Sequence, residues 1–141
     1  MCDKARNIFP GESRIHFHSE LQHVWTEVDI LYVNSVLQYF ENYRAKITEL
    51  CARKAPLVLL SRLAAGSNPT FATQQVNIPG QILPYWFINR DEVVKIMADE
   101  GYDLICESLC HTSYDQSNLP ATHRCERMRD MLFALLPPAE P

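Results

Sequence analysis

Two uninterrupted apolar runs, "VDILYVN" from Val28 and "APLVLLSR" from Ala55, restrict the fold more than any other feature of the chain. Both are rich in β-branched and long aliphatic residues, the pattern of a parallel strand covered on both faces. Between them Leu37, Phe40, Ile47, Leu50 and Cys51 recur near helical spacing, while Glu41, Arg44, Lys46 and Arg53 supply a wet face over residues 36–54. Ser35 stands where a cap for that helix would, and Pro56 falls at the start of its strand, where a missing N–H costs least. Strand, helix and strand in this order predict a right-handed βαβ crossover in a parallel sheet, and so an α/β fold.

Residues 1–9 read as the last turns of a helix stopped by Pro10-Gly11. "RIHFHSEL" alternates Ile15 and Phe17 against His16 and His18, which predicts a half-buried strand. Residues 63–83 hold Gly66, Pro69, Pro79 and Gly80 without a clear period and read as a long loop, a kind of segment that is usually functional. Asn89 followed by Glu92 predicts a capped helix with Val93, Val94, Ile96 and Met97 inward and Gly101 at its end. Residues 102–109 read as a strand. The apolar run at 128–136 is too brief for its period to separate helix from strand, and as a strand it pairs antiparallel with 102–109. The whole is one domain, divided into 1–27, 28–62 (the βαβ unit), 63–88 (the loop) and 89–136.

Charge and cysteine usage exclude several functions. Lys and Arg number 13 against 17 Asp and Glu, in no runs, which argues against a nucleic-acid partner that needs a basic surface. The five cysteines are scattered and odd in number, and no signal-peptide pattern opens the chain, so reduced thiols in a cytoplasmic protein are expected. No apolar stretch approaches the roughly 18 residues of a membrane span.

"VNSVLQYF", "TFATQQ", "WFINRDEVVKIMADEGYDL" and a later Leu-Pro followed by an apolar strand occur in this order along the chain. Together they resemble the carboxyl-terminal two-thirds of a class I S-adenosylmethionine-dependent methyltransferase, and more narrowly a bacterial methyltransferase family. The resemblance implies a partial Rossmann-like sheet, strands three to seven of a 3-2-1-4-5-7-6 order, with an antiparallel final strand. "RIHFHSEL" would be strand three, "VDILYVN" four, "APLVLLSR" five, "YDLICESL" six and "MRDMLFAL" seven. The first two strands are missing from this pattern, and with them the glycine-rich turn and the ribose-binding acid. None of Gly11, Gly66, Gly80 and Gly101 opens a strand-turn-helix unit of the G-x-G kind.

Ligands of open α/β sheets lie outside the carboxyl ends of the strands. The resemblance therefore implies an S-adenosylmethionine-binding role for Asn34, Ser35, Leu37 and Gln38 and an acceptor-facing role for Tyr39; Arg62, at its strand's end, is placed to pair with an anionic acceptor or the cofactor carboxylate, and Gln74, Gln75 and Tyr85, in the long loop, are candidates for the acceptor pocket. Plainer roles stay open: Ser35 as a cap, Leu37 as core, Tyr39 as packing, Arg62 in a surface ion pair, and Gln74 and Tyr85 in a solvated lid. No catalytic residue is assigned, since no His-carboxylate dyad is visible and only His111 remains as a base. Cys106, Cys110, His111, His123 and Cys125 offer zinc-ligand chemistry. On one strand, however, Cys106 and Cys110 would stand roughly 13 Å apart, so no metal is expected.

Two functions compete. The first is the carboxyl-terminal part of a methyltransferase acting on a small-molecule or glycan acceptor and inactive by itself. The second is a non-catalytic Rossmann-like module that self-associates, or takes up a missing amino-terminal segment, through the strand edge left where strand one would lie.

Overall fold

A computed structural model of the chain describes residues 2–20, 23, 27–111 and 113–137, with the backbone alone at 2, 3, 77 and 78. The predicted βαβ unit is present. Strand β1 (Ile30–Asn34) leads through helix α2 (Tyr43–Cys51) to β2 (Leu57–Leu63), which runs parallel to β1 with Ile30 beside Leu57 and Asn34 beside Ser61. On its other side β2 pairs antiparallel with β7 (Arg129–Leu135), and β7 pairs antiparallel with β6 (Tyr102–Leu109). The mixed sheet thus has the order β1-β2-β7-β6. The run at 128–136 resolves as a strand because Met131 and Phe133 alternate into the core.

That core lies where α2 and helix α3 (Arg90–Asp99) meet the sheet. Ile47, Cys51, Val93 and Met97 cluster with Val58, Leu60, Met131 and Phe133, each nearly inaccessible. A fully buried side chain of this size contributes about 1.5–3 kcal/mol. Strand β1 departs from the expectation of cover on both faces. Leu31 and Val33 pack on the core, whereas Ile30 is 49% and Tyr32 59% exposed, because the cluster that receives β1 lies on one face only.

"RIHFHSEL" is not a strand: residues 15–18 carry no ladder pairing, and Leu21 lies outside the described residues. Alternation makes a strand only where a neighbouring edge accepts it, and among the described residues β1 pairs with β2 alone. Phe17 instead stacks on Phe9, with ring centroids 6.0 Å apart, and its carbonyl accepts from Arg6 of helix α1 (Cys2–Ile8) at 3.1 Å.

The segment read as a long loop is a second, three-stranded sheet in the order β3-β5-β4, made of β3 (Ala65–Gly66), β4 (Phe71–Ile78) and β5 (Gln81–Asn89). Its hairpin turns on Pro79-Gly80, with Ile78 opposite Gln81 and Gly80 at φ 78°. Proline followed by a residue of positive φ is the chemistry of a type II turn. Pro84 is tolerated because β3 reaches only Ile88 and Asn89, leaving that edge of β5, among the described residues, without a partner that needs its N–H.

The helix expected over 36–54 is interrupted. A single 3-10 turn, Leu37–Tyr39, ends at an extended Phe40, and α2 starts afresh where Asn42 Oδ1 accepts from Ala45 N at 3.0 Å. Asn89 caps α3 as predicted, accepting from the amides of Asp91 and Glu92. Glu92 does not return to complete a capping box. It accepts from the hydroxyls of Tyr43 and Thr70 and pairs with Arg44, while Thr70 Oγ1 accepts from Asn89 N at 2.8 Å. Burial alone would raise the Glu92 pKa, but these donors outweigh it and hold it low. One carboxylate thereby ties the hairpin to both helices.

Candidate functional site

The carboxyl ends of the two parallel strands carry strained backbone. Ser35 (φ 54°) follows β1 and Arg62 (φ 52°) lies at the end of β2, both left-handed without being glycine. Such a conformation costs about 1–3 kcal/mol and persists only where surrounding contacts impose it. Those contacts are specific. Ser35 N donates to Ser61 O at 2.8 Å, and Gln38 Nε2 donates to Ser35 Oγ at 3.3 Å and to Arg62 O at 3.4 Å. From β7, Asp130 Oδ1 accepts from Ser61 Oγ and from Arg62 N, the latter at 2.9 Å, across the register shift between Leu60 and Leu63. Burial would raise the Asp130 pKa, yet the donors Ser61, Arg62 and Cys110 hold it below the usual carboxylate range. Gln38 is 0% exposed and its Oε1 has no partner among the described residues.

The hairpin opens a cleft of about 350 Å³ between β4, β5 and residues 114–119. Thr73, Gln74, Gln75 and Val76 come from β4, Tyr85 and Phe87 from β5, and Tyr114, Asp115, Gln116, Asn118 and Leu119 from the connection before β7. The size falls within the usual range for small-molecule sites, toward its lower end. Tyr85 anchors the cleft. Its ring meets Tyr39 edge-on at 5.2 Å, Phe87 at 5.2 Å and Tyr114 at 6.1 Å. The residue is 2% exposed, and its hydroxyl is sealed from solvent close to the Tyr114 side chain. Burial, with Tyr114 and Tyr39 nearby, drives its pKa well above the usual phenol value, so the hydroxyl stays protonated. Gln116 is locked by two 2.7 Å bonds to the Cys125 backbone.

The strand ends and the cleft are joined through one residue. Tyr39, on the turn after β1, donates from its hydroxyl to Gln75 Oε1 at 2.9 Å. The structure therefore brings Tyr39, Gln74 and Tyr85 together around the cleft. Asn34, Ser35 and Arg62 stand apart at the strand ends, where Asn34 and Arg62 are exposed. Ser35 does not cap the 3-10 turn, whose start has no side-chain cap; its hydroxyl accepts from Gln38 instead. Leu37 belongs to the core cluster. The sequence pattern passed over Asp130, Tyr114, Asp115 and Asn118, which reach the site only through tertiary pairing. Among the described residues no group of three or more His, Cys, Asp or Glu side chains could hold a metal, and no helix is long and apolar enough to cross a membrane.

A mixed sheet with helices on one face and a ligand-sized cleft linked to the strand ends through Tyr39 describes a methyltransferase-like fold, and solved structures share it. The chain superposes on magnesium protoporphyrin IX methyltransferase from Synechocystis PCC 6803 with bound SAM, at TM-score 0.58 and 16% identity, over 95% of this chain and 52% of that one. The same enzyme with bound SAH gives TM-score 0.58 and 16% identity over 95% and 57%. The chain thus spans little more than half the length of these structures. No family model matches the chain, and no curated protein matches it.

Proposed function

We propose that the chain is the acceptor-binding, carboxyl-terminal part of an S-adenosylmethionine-dependent methyltransferase acting on a small molecule. The observation that carries this reading is the pair of left-handed residues, Ser35 and Arg62, at the carboxyl ends of adjacent parallel strands, linked through Tyr39 to a ligand-sized cleft. In this reading β1, β2, β7 and β6 are strands four, five, seven and six of the methyltransferase sheet. The glycines do not supply the phosphate-free cradle of the cofactor's methionine end: Gly11 and Gly80 sit in turns with open space around them, and Gly66 faces Asn68 Oδ1 and Cys125. The residues present would fit one wall of the cofactor: Asn34, exposed at the strand end, and Ser35 would hold it, with the buried Gln38 Oε1, unpartnered among the described residues, beside them.

Bound S-adenosylmethionine supplies an electrophilic methyl group. The chain's own part is orientation and exclusion of water, which account for much of the acceleration when a nucleophile must meet its target in line. Tyr39 fixes the distance between the strand ends and the cleft through Gln75, and Tyr85 presents a protonated phenol within a buried aromatic wall. Arg62 stands exposed beside the strand ends, where a carboxylate of cofactor or acceptor would be attracted. The cleft's size favours a small acceptor over an extended glycan. Free Cys51, Cys106, Cys110 and Cys125 support a reducing, cytoplasmic setting. Calorimetric titration with S-adenosylhomocysteine tests the reading: weak binding is expected from a one-walled site, and low-micromolar binding would mean that a different, complete site exists.

A further inference from the structure

We infer that the cleft beside Tyr85 takes a small aromatic amine in its cationic form; this deepens, and rests on, the reading of the cleft as the acceptor's site, the methyl going to an atom that keeps a lone pair and not to the ammonium nitrogen. Size and shape come first. At about 350 Å³, with Tyr85 and Tyr114 crossing at 89° and Phe87 against Tyr85, the cleft has room for one ring and a short chain between aromatic walls. Leu119 extends the apolar lining.

Charge comes second. Of the side chains that line the cleft, Asp115 alone is charged. The Ser117 amide donates to Asp115 Oδ1 at 2.9 Å and holds its pKa below the usual range, so it stays anionic at neutral pH. The cation whose field reaches it, Arg124, is turned to the carbonyls of Leu119 and Ser117, at 2.9 and 3.1 Å, and does not line the cleft. Aromatic rings attract a cation, and Asp115, as the charged side chain of the lining, gives the site one sign. An anionic ligand would meet the Asp115 carboxylate as a like charge.

The test uses the full chain and three probes of one shape: 2-phenylethylamine, 2-phenylethanol and phenylacetate, with affinities from saturation-transfer NMR. The amine should bind at least about tenfold more tightly than phenylacetate, with the alcohol between them. Asp115→Asn, at an exposed position that should not disturb folding, should remove most of the amine's advantage and leave the alcohol unchanged. Equal or tighter binding of phenylacetate, no binding of any probe, or an unchanged amine-to-alcohol ratio in Asp115→Asn would overturn the inference. S-adenosylhomocysteine titrated in parallel separates the two readings: its failure alone counts against the cofactor, and failure of the amine order alone counts against this ligand class.

Discussion

The Tyr39 hydroxyl donates a 2.9 Å hydrogen bond to Gln75 Oε1, so the turn after β1 and the second sheet are held at a fixed separation. The bond spans two hydrophobic clusters, since Leu37 belongs to the main core and Tyr39 packs against the smaller one around Tyr85 and Phe87. Tyr39→Phe keeps the ring contact with Tyr85 and deletes the bond. The expected loss of stability is about 1 kcal/mol, measured by urea unfolding, together with a several-fold fall in affinity for 2-phenylethylamine. Unchanged affinity would confine the bond to packing.

Arg62 should be held in the left-handed region at a stability cost. Arg62→Gly keeps the backbone N–H that Asp130 accepts and removes the clash of Cβ, so stability should rise by about 1 kcal/mol. Lys54, at φ 52° after α2, is the control, and Lys54→Gly should stabilise comparably. If Arg62→Gly also weakens S-adenosylhomocysteine binding while Lys54→Gly does not, the strain at the strand end is retained for ligand binding. Destabilisation of Arg62→Gly alone would show that its side chain is a structural element.

Acid should unfold the protein through its paired carboxylates. Arg90, against opposing burial and with help from Arg129, holds the Glu107 pKa low, and Glu92 and Asp130 are held low by their donors despite burial. A depressed folded-state pKa gives stability that is fully present above the unfolded value of about 4 and is lost as pH falls through the folded value. Melting temperature should therefore fall steeply below about pH 4, and Glu107→Gln, less stable at pH 7, should show a flatter acid limb. An acid limb identical to the parent's would remove Glu107 from this account.

The open edge of β1 predicts association. Ile30 and Tyr32 lie exposed on a strand that pairs on one side only among the described residues, and such edges template pairing with other chains. Light scattering after size exclusion should show a mass that rises with concentration, and Tyr32→Lys should lower it. A monomer at every concentration would contradict this.

The βαβ unit was readable because its strands are long apolar runs that no helix of that length would carry, and the β6–β7 pairing followed from their adjacency in chain order. The hairpin was hidden by its polarity. In β4, Thr73, Gln74 and Gln75 mask the alternation, although Pro79-Gly80 carried the turn signal. "RIHFHSEL" shows the converse, a clean alternation with no edge to join. Gln74 and Tyr85 stand out in sequence only as polar and aromatic residues of a presumed loop, whereas Asp115 and Asn118 lie in an irregular polar stretch whose approach to β5 is decided by tertiary packing.

The central claim is that the ends of β1 and β2 form one wall of an S-adenosylmethionine site beside an acceptor cleft. Backbone amide NMR of the full chain, titrated with S-adenosylhomocysteine, tests it most directly. Weak, millimolar-range binding is expected, with shifts confined to Asn34, Ser35, Arg62 and the turn through Tyr39. Shifts centred elsewhere, or none at these residues at millimolar ligand, would contradict it.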